Sequence, residues 1–355
     1  MNIHVRADGT PEAMRAQDSA VKTVNFALQG GGAHGAFTWG VLDRILEDPR
    51  IAIEGISATS AGAMNAAVLA YGLTIGGREG ARQALTNFWR RIAHAASFSP
   101  LQPSLFDRVA HNHGLEHSPA HLLFDILSRL LSPYQWNPLN YNPLRSVIEQ
   151  AVDFEALRRG SAVKLFLSAT NVRTGKVKVF TEKEVSADCV LASACLPFLY
   201  QAVSVDGEYY WDGGYMGNPA LFPLIYGCDS RDIVVVHINP MQRPDVPQSA
   251  RDIMNRINEI SFNSSLMREM RAVAFVTKLL DDKKLHDSEV KRMLVHAVSA
   301  DDVMQSLGVA SKLNAEWEFL THLHAIGRER AEAWIAASYD ALNVASTIDI
   351  RGTYL

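Results

Sequence analysis

The chain has 355 residues, 48 % hydrophobic and 20 % charged, with a formal net charge of −4 and an isoelectric point near 6.3. It is long enough to bury about three quarters of its unfolded surface in one or two domains, and it has no global attraction for nucleic acid. Cys189, Cys195 and Cys228 have no metal-ligand spacing, no apolar run approaches the ~20 residues of a membrane span, and the N-terminus lacks the apolar centre of a signal peptide; a soluble cytoplasmic protein without metal or cofactor is expected.

Residues 1–21 read as a polar arm. Residues 23–29 (TVNFALQ) suit a buried strand and run into Gly30-Gly31-Gly32-Ala33-His34-Gly35, then a helix with Phe37, Val41 and Ile45 at helical spacing. Glycine lets the backbone approach a ligand closely and turn its N–H groups outward above a helix N-terminus, which favours anions. Three readings fit this loop. It is a plain tight turn, the phosphate turn of a dinucleotide fold with Glu54 as the ribose-binding acid, or an oxyanion loop serving a nucleophile on the next strand–turn–helix.

That next unit is present. Residues 51–57 suit a buried strand and 61–71 a buried helix, and Ser60 lies between them in Ala58-Thr59-Ser60-Ala61-Gly62. Small residues two places to either side are what a nucleophile elbow requires, because a longer side chain would collide with the turn that holds the serine in strained geometry. The helix beginning at Ala61 points unpaired N–H groups and a partial positive charge at the serine. Taken alone, Ser60 is also a reasonable helix N-cap. The dinucleotide reading has no use for this second sharp turn, whereas the oxyanion reading requires it.

Helix continues over 72–94. Residues 95–143, with prolines at 100, 103, 119, 133, 138 and 143, read as an irregular cap-like insertion. Its histidines, His111, His113, His117 and His121, have no carboxylate or cysteine framework, so a structural or surface role is favoured over a metal site. Residues 122–131 are amphipathic and suit a pocket cap, a lipid-surface contact or ordinary packing. A short helix is expected over 139–157, a central strand over 163–170, a hairpin arm around Gly175 and a helix over 187–195 that stops at Leu196-Pro197. Residues 203–211 form a hairpin turning at Asp206-Gly207. It delivers Asp212-Gly213-Gly214, an aspartate held at a strand end above the sheet, which in isolation is an Asx-turn.

Residues 232–238 are a further buried strand. Residues 248–280 read as a long helix with Ile253, Ile257, Ile260, Met270 and Val273 toward the core. Its arginines, Arg251, Arg256, Arg268 and Arg271, form a solvated face rather than a lipid-headgroup contact. A last strand over 292–298, more helix over 310–342 and an unassigned tail complete the chain. Strands alternating with helices predict a three-layer α/β/α sandwich with a mostly parallel sheet: a catalytic domain over 22–240, with a mainly helical region over 241–355 packed on it.

Together the Gly30–Gly35 loop, the Ser60 elbow and Asp212-Gly213-Gly214 resemble the patatin-like phospholipases, as does Ala192-Ser193-Ala194-Cys195-Leu196-Pro197, in order and spacing over roughly residues 23–220. Two positions depart from the family pattern: Ala58 replaces the first elbow glycine, and His34 stands where Arg or Lys is usual, which removes a fixed charge unless the imidazole is protonated. The resemblance implies a serine lipid acyl hydrolase in which Ser60 is the nucleophile and Asp212 its base, with no intervening histidine. Gly30, Gly31, Gly32 and Ala61 would form the oxyanion hole, supported by His34, Gly35, Gly62, Gly213 and Gly214. Its substrate would be a fatty-acyl lipid, met in peripheral contact with a membrane. A thioesterase or acyltransferase on the same dyad, a histidine-completed triad, a dinucleotide-binding protein and a silent lipid-binding module are the alternatives.

Overall fold

The computed structural model describes residues 21–97, 131–286 and 290–355. The expected polar arm, the four histidines of the insertion and the amphipathic run at 122–131 lie outside these residues, except for Val21 and Leu131 at their ends.

The strands are β1 (Lys22–Leu28), β2 (Ile51–Ala58), β3 (Lys164–Asn171), β4 (Val177–Thr181), β5 (Val203–Val205), β6 (Glu208–Asp212), β7 (Asp232–Val236) and β8 (Leu294–Val298). They form one mixed sheet in the order β5-β6-β3-β2-β1-β7-β8, with β4 also on β3. β3, β2, β1, β7 and β8 are parallel, while β4, β6 and β5 are antiparallel additions at one end. The helices are α1 (Gly35–Glu47), α2 (Ala61–Ser97), α3 (Pro133–Trp136), α4 (Pro143–Ala151), α5 (Phe154–Arg159), α6 (Ala187–Ser193), α7 (Phe222–Gly227), α8 (Ala250–Asp281), α9 (Asp301–Met304), α10 (Trp317–Ser338) and α11 (Ile350–Tyr354). None of the described helices is long and apolar enough to cross a membrane.

The central strands are unbroken apolar runs because both faces of the sheet are covered. Successive side chains point to opposite faces. Val24, Phe26 and Leu28 of β1, with Val234 and Val236 of β7, join a core with Phe37, Val41, Leu69 and Phe319 from α1, α2 and α10. Ala27, Ile233 and Val235 face the other core, with Leu224, Leu266, Met270 and Tyr354 from α7, α8 and α11. The result is the expected three-layer sandwich.

α10 crosses α1 where both helices carry glycine. A Cβ on Gly40 would run into the His324 carbonyl, and one on Gly327 into the Phe37 carbonyl. Beside this crossing Asp43 receives Arg82 at 2.8 Å, His324 at 3.3 Å and Arg328. Burial opposes ionisation of Asp43, but these three partners hold its carboxyl below the usual range.

Four expectations about helices are corrected. α2 breaks at Gly76 and Gly77, whose backbone leaves helical geometry. The helix over 139–157 is two, because Val152 is extended and Asp153 caps α5 through the Ala156 amide. In α8, Met270 and Val273 are buried, but Ile253, Ile257 and Ile260 are exposed. The inward face of its first half is polar instead: Glu259 takes Arg243 and Arg256, and Asn263 bonds Gln29 and the Pro240 carbonyl. Finally, α10 begins only at Trp317, because residues Val309–Leu313 form a separate 3-10 turn. The sheet also continues past residue 240 through β8, which pairs with β7.

Candidate active site

Ser60 follows β2 directly and precedes α2. Its φ is 56°, in the left-handed region that non-glycine residues rarely occupy, so the elbow geometry expected from its neighbours is present. Three hydrogen bonds hold it. The Ser60 amide donates to Ser193 Oγ at 2.9 Å, Thr59 Oγ1 donates to the Gly217 carbonyl at 2.6 Å, and the Thr59 amide donates to the Leu28 carbonyl at 3.2 Å. Ser193 belongs to the Ala-Ser-x-x-x-Pro segment, whose part in the elbow is thereby explained. The Ala58 methyl is fully buried, and Gly62 lies against the Leu28 and Gln29 carbonyls, where a Cβ would come within 2.5 and 2.8 Å. Ser60 itself retains partial solvent access.

Sheet register brings Asp212 to the level of Ser60. Ala58 pairs with Leu167 of β3 and Asp212 pairs with Ala169, so Ser60 and Asp212 stand two residues beyond the Ala58–Leu167 rung on either side of β3. Strands two apart are separated by about 10 Å, so the register sets the two residues level with each other across β3. Both central residues of the hairpin that turns β6 back have positive φ, Asp206 at 50° and Gly207 at 81°, which matches the twist of a tight two-residue turn.

Asp212 is fully buried. Its Oδ1 accepts the Gly214 amide at 2.7 Å, its amide donates to the Cys195 carbonyl at 2.8 Å, and its carbonyl accepts Thr170 Oγ1 at 2.8 Å. Burial pushes its carboxyl up to about 7, against the opposing influence of the Gly214 amide, the Ser60 hydroxyl and Lys312. Oδ2 has no partner in ordinary hydrogen-bond geometry among the described residues. The Ser60 hydroxyl is among the influences that oppose burial at this carboxyl, and it makes no standard hydrogen bond to Oδ2. Gly213 backs onto the Ser168 carbonyl and Gly214 onto the Phe262 ring, with no space for a side chain at either.

The glycine loop lies against the elbow: a Cβ on Gly30 would come within 2.6 Å of Ser60 Cβ. The Gly30 amide is already engaged, donating to Asn218 Oδ1 at 2.7 Å. The amides of Gly31, Gly32 and Ala61 donate to no protein acceptor among the described residues, and Gly32 is exposed with φ of 59°. His34 is buried with Nε2 2.7 Å from Ser311 Oγ. Burial, then the nearby charges of Lys312 and Arg243, lower its pKa to about 3, so the imidazole is neutral at physiological pH. Gly35 packs against Ala61.

A polar network supports the loop from behind. Gln29 Oε1 accepts the amides of Ile238 and Asn239 at 2.9 and 3.0 Å, Asn239 Nδ2 donates to the Gly30 carbonyl at 2.8 Å, and Lys312 Nζ donates to Asn239 Oδ1 at 2.8 Å. Sequence reading misses Asn218, Asn239 and Lys312, each at least 188 positions from the glycine it serves or reaches through Asn239. No local pattern marks any of them.

Two alternatives lose support. Val24 pairs with Ile53 and Leu28 with Ala58, so Glu54 lies about 13 Å back along the strand from the Leu28–Ala58 rung, itself short of the glycine loop. There it accepts the Asp229 and Ser230 amides and Lys164, which leaves a dinucleotide ribose without its acid. His237 bonds Tyr354, His296 bonds Asp232, and His324 meets Asp43, so these histidines are committed away from Ser60. Among the described residues no group of three or more His, Cys, Asp or Glu is placed to hold a metal ion.

A mixed sheet between two helical layers, with a strained serine above its parallel strands, defines a three-layer α/β/α protein. The family model for patatin-like phospholipases matches residues 26–225, more than half of the chain, and the chain belongs to that family, one of lipid acyl hydrolases. Among solved structures it is similar to VipD from Legionella pneumophila, at 16 % identity and a TM-score of 0.35, over 85 % of this chain and 66 % of that one. The chain thus spans just under two thirds of that structure's length. No curated protein matches.

Proposed function

We propose that the protein is a serine lipid acyl hydrolase, a phospholipase A-type enzyme or general fatty-acyl esterase, working through a Ser60–Asp212 dyad. The observation that carries this reading is the buried Asp212 carboxyl beside Ser60. An ordinary carboxylate near 3.8 is a poor base toward a serine hydroxyl, whereas one at about 7 is matched to proton transfer at neutral pH.

Ser60 Oγ attacks the ester carbonyl carbon as its proton passes to Asp212. The amides of Gly31, Gly32 and Ala61 receive the oxyanion; Gly30, whose amide Asn218 occupies, shapes the loop instead. The C–O bond to the leaving alcohol breaks as Asp212 returns the proton to that oxygen. Water then attacks the acyl-enzyme, giving a proton to Asp212, and the Ser60–acyl bond breaks as Asp212 returns that proton to Ser60 Oγ, releasing a fatty acid and restoring the dyad. Phe198 and Met216 are exposed on the segments flanking Asp212 and would meet the acyl chain.

The test is labelling of the full chain with a fluorophosphonate. Covalent label is expected on Ser60, absent in Ser60→Ala and slowed at least about a hundredfold in Asp212→Asn. Label that persists without Ser60 would refute the assignment.

A further inference from the structure

We propose that Lys312 is a positioning residue for this site: through Asn239 it fixes the Gly30 carbonyl, and it places a positive charge beside the glycine loop. The inference rests on the dyad reading above and extends it to a residue outside the family-matched segment.

The geometry is specific. The turn Val309–Leu313 packs directly on the loop, since a Cβ on Gly32 would run into the Lys312 carbonyl. Two consecutive residues of that turn then hold the two ends of the loop. Ser311 Oγ bonds His34 Nε2 at 2.7 Å, and Lys312 Nζ reaches Asn239, which in turn donates to the Gly30 carbonyl.

The charges around Lys312 are unevenly neutralised. Glu259 is shared between Arg243 and Arg256 at 2.6 and 3.1 Å, and Lys312 makes no ion pair among the described residues. Its ammonium therefore acts through space on whatever negative charge forms nearby. Asp212 feels it after the Gly214 amide and the Ser60 hydroxyl, the three together holding the carboxyl lower than burial alone would place it, and an oxyanion at the Gly31–Gly32 amides would feel it also. Lys312 keeps some solvent access, yet the surrounding protein still lowers its pKa to about 8. Burial is the main cause and Arg243 adds to it, with Glu259 and Asp212 opposing.

These positions give two pH readouts. In the wild type, kcat/KM for a short acyl ester should fall above about pH 8, as Lys312 loses its proton, and Lys312→Arg should carry that limb beyond about pH 10. In Lys312→Met the acid limb, set by Asp212, should rise by about one pH unit because the cation that favours the carboxylate is gone. The plateau kcat should drop about tenfold with KM little changed. A Lys312→Met enzyme with the wild-type acid limb and a rate within about twofold of wild type would overturn the role. So would an alkaline limb that Lys312→Arg leaves in place, a comparison that holds even if Lys312→Met fails to fold. Fluorophosphonate labelling separates the two levels: no label on wild-type Ser60 sinks the dyad and this inference together, while label with unshifted limbs sinks only the role of Lys312.

Discussion

Replacing Asp212 by Asn should make the protein more stable at neutral pH while disabling it. An aspartate has an ordinary value of 3.8, and burial raises this one to about 7 in the folded chain. Between about pH 4 and pH 7 the unfolded chain releases the proton and the folded chain keeps it, so this group's contribution falls as pH rises. Above pH 7 the accumulated loss is roughly 4 kcal/mol. Asn has no proton to lose, and its Oδ1 can still accept the Gly214 amide that Asp212 accepts at 2.7 Å. Its Nδ2 would occupy the site of Oδ2, which has no standard partner; burying that amide returns about 2 kcal/mol. The net expectation is that Asp212→Asn exceeds the wild type by about 2 kcal/mol near pH 8 and loses that advantage near pH 4.5. Urea unfolding of both proteins at the two pH values measures it, and the difference between them isolates this residue. An Asn variant less stable than wild type at pH 8, or a difference independent of pH, would show that Asp212 is an ordinary turn aspartate with an unperturbed carboxyl.

Two other substitutions probe the scaffold. Ser193→Ala removes the acceptor of the Ser60 amide and should cost about 1–2 kcal/mol while slowing fluorophosphonate labelling about tenfold; an unchanged labelling rate would mean that the elbow does not depend on this bond. Gly327→Ala places a methyl against the Phe37 carbonyl and 3.0 Å from Gly40 Cα. It should lower the urea midpoint by an amount equivalent to about 3 kcal/mol, and a midpoint within experimental scatter of wild type would mean that α1 and α10 move apart freely.

Much of the site is legible in the sequence because its chemistry is local. The elbow is a strand, a turn and a helix within residues 51–71, and its small flanking residues are a steric requirement that reads directly from composition. The glycine loop and the Asp206-Gly207 hairpin are legible for the same reason, each being set by backbone angles that few residues adopt. What brings Ser60 and Asp212 to one level is different in kind. It is the register of β2 and β6 on β3, which the alternation of side chains permits but does not specify.

Two of the misread stretches, the first half of α8 and the start of α10, share one physical cause. Periodicity shows that a helix has two faces, and the convention that the apolar face points inward decides which is buried. In α8 that convention fails, because Glu259, Asn263 and Ser265 face inward to meet Arg243, Gln29 and Asn218, and satisfied buried polar groups outweigh the exposure of three isoleucines. The same preference explains the interruption before α10. Residues 309–313 leave the helix where Ser311 bonds His34 of the glycine loop and Lys312 bonds Asn239 behind it, partners that lie more than 70 positions away in the chain. The loop pairs its Gly31 and Gly32 carbonyls locally with the His34 and Gly35 amides, but its Gly30 end has no such local partner. The groups that hold it must come from elsewhere, and here part of them comes from the C-terminal region, beyond the segment that identifies the family.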